Sequence, residues 1–315
     1  MDDDCEEIMT GQWEKISFLN INNCATKYLS SHAQLPTALV LDNCVRVFFA
    51  GRTQEQRSHI HFVDIVPDGN RISVSDIENH PVLFPGKTGT FDEHGVYPSS
   101  IVKHNGQYYM YYIGWNQGVE APIFYASIGL AISDDGKNFE KYSPAPIMAR
   151  SEFDPCLVTS PHVFIEDNLW RMTYVSGIKW ERGDDRKLKS FYHIKYAESN
   201  NGIDWQRDGR VAIDFQKGET NIARSSVIGN RQDGYKMWFS YVHADIGKYR
   251  IGYARSDNAL EWQREDKFAG ISIDNEHAKE MICYPHLFCW GDNLYMLYNG
   301  DNFGQHGFGV ARWVS

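Results

Sequence analysis

The residues equipped for chemistry in this chain are carboxylic acids that stand a few positions ahead of a recurring short motif. Asp92 precedes Tyr97-Pro98, Glu280 precedes Tyr284-Pro285, Glu152 and Asp154 precede Ser160-Pro161-His162, and Glu219 precedes Arg224. Paired carboxyls suit glycosyl transfer, in which one protonates the leaving oxygen while the other activates water or attacks the sugar. Crowding of like charges also raises one pKa, as a general acid requires. Asp92 and Glu280, each just ahead of a Tyr-Pro pair, are read as the acid and base, with Asp154 as a third catalytic candidate. The competing reading of each acid is a turn cap or a partner for an arginine.

Other side chains would bind rather than react. Arg52 and Arg224 offer rigid guanidinium forks to hydroxyls or anions, or else neutralise the acids. Trp115 reads as a stacking platform for a sugar face or as a packed core ring. Asn299 and Asp301, in a glycine-rich loop, reach sugar hydroxyls or form turns. His162 and His286 occupy matching positions, which suits an axial role or a buried, hydrogen-bonded pair. Tyr97, Glu219 and Tyr284 complete the substrate-binding set. The six cysteines, Cys5, Cys24, Cys44, Cys156, Cys283 and Cys289, form no CxxC pair. They read as reduced, packed thiols, and neither a metal nor another cofactor is expected.

The elements that must position these residues follow from an internal repeat. Leu35-Pro36-Thr37, Tyr97-Pro98-Ser99, Ser160-Pro161-His162, Arg224-Ser225-Ser226 and Tyr284-Pro285-His286 recur at intervals of roughly sixty residues. Each opens a short apolar run, and an aromatic run follows: Arg46-Val47-Phe48-Phe49, Tyr109-Met110-Tyr111-Tyr112, Arg171-Met172-Thr173-Tyr174, Lys236-Met237-Trp238-Phe239 and Tyr295-Met296-Leu297-Tyr298. A third run comes next, as in Ile128-Gly129-Leu130-Ala131 and Ile251-Gly252-Tyr253-Ala254. Turns such as Ser133-Asp134-Asp135-Gly136 then lead to a fourth.

Four strands in each of five units predict an all-β, five-bladed β-propeller occupying residues 1–315 as a single domain, with blades anchored near 36, 98, 161, 225 and 285. The last unit runs out after its third strand, and Trp13 precedes Pro36 by the same offset as Trp262 precedes Pro285. An N-terminal strand at about 12–19 is therefore expected to close the last blade. First strands line the channel of a propeller, so the anchors and the acids before them converge on one face, where a site is sought.

A net charge of −10 without any Lys/Arg run argues against nucleic acid and membrane partners. The acidic start Met1-Asp2-Asp3-Asp4 and the absence of a membrane-length apolar stretch point to a cytoplasmic protein.

Four segments carry a family resemblance: Phe91-Asp92-Glu93-His94-Gly95-Val96-Tyr97-Pro98-Ser99, Ala223-Arg224-Ser225-Ser226, Glu280-Met281-Ile282-Cys283-Tyr284-Pro285 and Leu294-Tyr295-Met296-Leu297-Tyr298-Asn299-Gly300. From about residue 35 onward the chain resembles the five-bladed arabinanases, invertases and levansucrases, together with the mannoside phosphorylases. It most resembles glycosidase-like proteins of polysaccharide gene clusters. The resemblance implies a carbohydrate-active enzyme (hydrolase, transglycosidase or phosphorylase) acting on a small sugar, glycoside or nucleotide sugar, with phosphate as the acceptor in the phosphorylase case. Hydrolases of that superfamily carry an Asp on the first inner strand, where this chain has Leu35-Pro36-Thr37. Either the acids are redistributed among the blades, or catalysis is lost and the protein is a glycan- or protein-binding propeller of polysaccharide biosynthesis.

Overall fold

A computed structural model describes residues 11–21, 26–75, 77–78, 80–183 and 186–315. Cys5 and Cys24 lie outside the described residues; Cys44, Cys156, Cys283 and Cys289 are free thiols.

The N-terminal strand is β1 (Gln12–Asn20). Four consecutive antiparallel sets follow. The first is β2 (Ser31–Val40), β3 (Val45–Arg52), β4 (Ser58–Asp68) and β5 (Arg71–Val74). The second is β6 (Gly95–His104), β7 (Gln107–Gln117), β8 (Phe124–Ser133) and β9 (Glu140–Lys141). The third is β10 (Leu157–Glu166), β11 (Leu169–Arg182), β12 (Leu188–Ser199) and β13 (Val211–Ile213). The fourth is β14 (Glu219–Asn230), β15 (Gly234–His243), β16 (Tyr249–Ser256) and β17 (Gln263–Arg264). The last unit has only β18 (Cys283–Trp290), β19 (Asn293–Asn299) and β20 (Gly307–Val314) of its own. Its outer strand is β1, antiparallel to β20 with Gln12 opposite Val314 and Asn20 opposite Gly307. The expected closure by an N-terminal strand is thus present.

The inner strands β2, β6, β10, β14 and β18 each pack against the next, and β18 returns to β2, so the units form a ring. The second-strand aromatics explain why. Successive side chains of a strand point to opposite faces, and a sheet covered on both sides reads as a continuous apolar run. Phe48 faces the second unit beside Met110 and Tyr112, whereas Phe49 faces the last unit beside Leu297 and Phe308. Tyr111 turns to Val163 and Trp170 of the third unit. Phe239 turns back to Val175 and Ile194, and Trp238 turns forward to Leu287 and Met296. Among the described residues the core is therefore not one central mass: an apolar cluster fills each cleft between neighbouring sheets, and a smaller one joins the inner strands. Burying each such ring contributes about 1.5–3 kcal/mol. Among the described residues no helix is long and apolar enough to cross a membrane. The architecture is that of a β-propeller.

Candidate functional site

At the anchors the inner strands leave regular pairing. Register breaks fall at Gln34/Thr37, Pro98/Ser100, Thr159/His162, Ala223/Ser226 and Cys283/His286. The backbone turns left-handed at Leu35 (φ 53°), Ser160 (47°), Arg224 (29°) and Tyr284 (59°). Side chains at such positions cost roughly 1–3 kcal/mol each and persist only where the surroundings enforce them. Here the bulges re-aim residues from different units toward one another. Leu35, Tyr97 and Tyr284 join one apolar cluster with Trp115, Phe124 and Leu157.

Arg224 reaches across the channel. Its Nη2 donates to the Pro36 carbonyl (3.0 Å), Thr37 Oγ1 (2.8 Å), the Ser99 carbonyl (3.4 Å) and His286 Nδ1 (3.3 Å). One guanidinium thus ties the fourth unit to the first, second and fifth. It is 1% exposed and forms no ion pair among the described residues. Burial pushes its pKa down to about 9. His162, whose Nε2 is hydrogen-bonded to the Val227 backbone, is pushed down to about 4 by burial. His286 falls well below its ordinary value, through burial first and then the charge of Arg224. The axis is therefore a plug of neutral imidazoles around one cation.

The acids behave differently from the axial groups. Asp92 is buried, paired with Lys141 of the outer strand β9 at 2.6 Å, and accepts from Tyr112 (3.1 Å) and Thr90 (2.9 Å). Asp154, 0% exposed, pairs with Arg207 at 2.9 Å and Lys195 at 3.6 Å and accepts from Tyr174 at 3.2 Å. Glu219 receives both Arg264 nitrogens at 2.6 and 2.7 Å, and the same guanidinium lies over the Phe239 ring. Asp274 and Lys15 pair at 2.7 Å, with Lys15 over Tyr298.

These four constellations repeat one device. An acid entering the unit meets a cation from its outer edge, beside an aromatic of the second strand. Opposite Tyr112, Phe239 and Tyr298 the third strand carries Gly129, Gly252 and Gly309, where a Cβ would collide with the ring. In the third unit Lys195 takes the glycine's place and reaches Asp154 instead. The first unit has Phe49 with His61 stacked on it. Such buried pairs clamp strands together, and breaking one leaves a bare charge.

The structure therefore separates the sequence-derived candidates. Tyr97, Tyr284, Trp115, Arg224, His162 and His286 belong to the axial region. Arg52 lies beside it, donating to Gln34 at 2.9 Å, and Trp115 donates to Ser58 at 3.1 Å. Asp92, Asp154 and Glu219 are held within their own units by their own cations. Glu280 is 65% exposed and paired with Lys248 at 2.8 Å. Of the two loop candidates, Asn299 is engaged by the fold, and Asp301 follows the turn alternative. Asn299 is buried, accepting from the Leu35 N–H (2.9 Å) and donating to the Ala33 carbonyl (2.8 Å), so its amide joins the last unit to the first rather than meeting a ligand. Asp301 caps the turn before β18, accepting from the N–H groups of Lys279, Glu280 and Met281. Sequence reasoning missed the cations of the clamps. The shared spacing signals only the tyrosine partner, since Asp92 and Asp154 each stand 20 residues before theirs.

Comparison with known proteins agrees with this architecture. Residues 74–221 match the glycosyl hydrolases family 32 N-terminal domain. An uncharacterized protein of Mycobacterium tuberculosis is 34% identical over 303 residues, spanning 95% of this chain and 98% of its own. A 1,2-beta-oligomannan phosphorylase of Thermoanaerobacter sp. is 25% identical over 160 residues, 50% of this chain and 51% of that enzyme. The crystal structure of a glycosyl hydrolase from Bacteroides ovatus superposes with a TM-score of 0.70 at 15% identity, covering 96% of this chain and 93% of that one. The chain belongs to one family with the mycobacterial protein, and its fold is the β-propeller it shares with these glycoside hydrolases.

Proposed function

We propose that the protein is a carbohydrate-active enzyme that cleaves or transfers a glycosyl group of a small glycoside or nucleotide sugar, as a hydrolase, transglycosidase or phosphorylase. The observation that supports it is the axial face itself. Tyr97, Trp115 and Tyr284 supply rings for a sugar, and Arg224 supplies positive charge beneath them. Asp92 and Glu280 remain the acid–base candidates of this reading, Asp92 buried against Lys141 and Glu280 in solvent beside Lys248. The 1,2-beta-oligomannan phosphorylase relative makes phosphate a natural acceptor to test alongside water.

The test is product release from a panel of aryl glycosides and nucleotide sugars, with and without phosphate. Glu280→Gln and Asp92→Asn are expected to lose on the order of a hundredfold or more in turnover. Thermal melting run in parallel separates loss of chemistry from loss of the Asp92–Lys141 clamp. Full activity in both variants on a confirmed substrate would remove the assignment.

A second reading, a sugar-binding propeller without turnover, is favoured by one specific feature. The bulged axial positions Leu35, Tyr97, Ser160, Arg224 and Tyr284 include no carboxylate, and Asp92, Asp154 and Glu219 are all ion-paired. It predicts saturable sugar binding with no bond cleavage across the same panel.

A further inference from the structure

A cavity of about 500 Å³ opens beside the first unit, between the chain entering β2, the β3–β4 loop and the segment that leads toward β6. Its volume falls in the range of small-molecule sites. One wall is aromatic. Tyr28 and Phe84 meet edge to face with centroids 5.4 Å apart, and His59 packs against both, at 5.4 Å from Tyr28 and 5.5 Å from Phe84. Burial pushes His59 down to about 4, so its ring is neutral at ordinary pH and suited to hydroxyl hydrogen bonds.

The lining also carries two cations. Lys27 sits 5.1 Å from the Tyr28 ring centroid, and Arg57 donates to the Glu93 carbonyl. Among the described residues neither has a carboxylate within ion-pair distance, although the chain carries a net charge of −10. The acid in the lining, Glu55, is engaged first by its own backbone and by Thr53, and feels the charge of Arg57 only as a smaller influence, beyond ion-pair distance. Aromatic faces receive the apolar side of a pyranose, and unpaired guanidinium and ammonium groups receive an anion.

We propose that this cavity binds an anionic sugar, a hexose bearing a phosphate or carboxylate, with its ring against Tyr28 and Phe84 and its charge on Lys27 and Arg57. This rests on the saccharide reading above and adds the charge class and the location of the ligand.

The experiment is calorimetric titration of the full chain with neutral hexoses, their 1- and 6-phosphates, glucuronate, and inorganic phosphate alone. Sugar phosphates or the uronate are expected to bind about tenfold more tightly than neutral hexoses, the worth of roughly one charge-assisted hydrogen bond, and the advantage should shrink with added salt. The phosphate and uronate arms identify the anion. Lys27→Gln and Arg57→Gln should each erase most of the advantage while leaving neutral sugar binding unchanged, and Phe84→Ala should weaken every sugar. Equal affinity for neutral and charged sugars, or for inorganic phosphate and sugar phosphate, would overturn the proposal. So would anionic binding untouched by all three variants. Sugar binding that is indifferent to these variants but sensitive to Tyr97→Ala or Tyr284→Ala would overturn it while leaving the proposed function standing.

Discussion

At the residue scale the most consequential groups are buried imidazoles. His59 and His162, and the partly buried His32, are pushed down to about 4, chiefly by burial, and His286 falls well below its ordinary value for the same reason. In the unfolded chain these rings take up a proton near pH 6.5, whereas in the folded protein they stay neutral until about pH 4. Protons thus bind the unfolded state preferentially in that window. Stability present above pH 6.5 is lost as pH falls toward 4, by about 1.4 kcal/mol per pH unit for each ring held neutral. Melting curves between pH 7.5 and 4.5 should show a falling Tm, and His286→Asn should flatten the slope. A wild-type Tm that is level across this range would contradict neutral burial of these side chains. Arg224 adds the complementary point that the axial cation meets carbonyls, a hydroxyl and an imidazole through Nη2 instead of an acid, while its Nε and Nη1 are buried without a hydrogen-bond partner among the described residues.

At the scale of the element, the clamp sets how an outer strand is held. Arg207 follows Gln206, which bridges to Glu198 of β12, and its guanidinium returns to the residues ahead of β10 to meet Asp154. Asp154→Asn would leave Arg207 and Lys195 facing a neutral amide in a buried setting, at a cost of about 3–5 kcal/mol. Removing the principal cation as well, in Asp154→Asn with Arg207→Met, should recover part of that loss, because the uncompensated charge rather than the missing contact dominates. Denaturant midpoints of the two single variants and the double variant measure the coupling. A loss below about 1 kcal/mol in Asp154→Asn would show that the pair is screened like a surface bridge.

At the scale of the molecule, closure of the ring depends on β1. Trp13 is buried, with its ring centroid 5.5 Å from Trp238 and 5.1 Å from Trp313, and its strand covers the edge of β20. Deleting residues 1–20 would expose that edge and strip the cluster between the fourth and last units. Loss of a single cooperative melting transition is expected, with aggregation on heating, in calorimetry of the truncated chain. A truncated protein that melts at the wild-type temperature would show that the three remaining strands suffice.

How much of this was legible beforehand depends on whether the cause is local. The anchors, the aromatic second strands and the closing strand could be read because period-two alternation, turn residues and equal offsets are properties of contiguous sequence, as Phe48-Phe49 and Trp13 illustrate. The convergence of Tyr97, Arg224 and Tyr284 followed from the repeat once the ring was assumed. The partners of the acids did not, since Lys141 lies 49 residues from Asp92 and Arg207 lies 53 from Asp154. Which cation meets which carboxylate is decided by strand register and side-chain reach. Asn299 likewise looked like a loop residue because its contacts, Ala33 and Leu35, stand at the other end of the chain. The cavity lined by Lys27, Arg57 and Phe84 exists only where three separate segments meet. Sequence alone determined the repeating strands and the family resemblance; tertiary structure decided which polar groups are used up in holding the ring and which remain to meet a ligand, because burial and charge pairing arise only between segments distant in the chain.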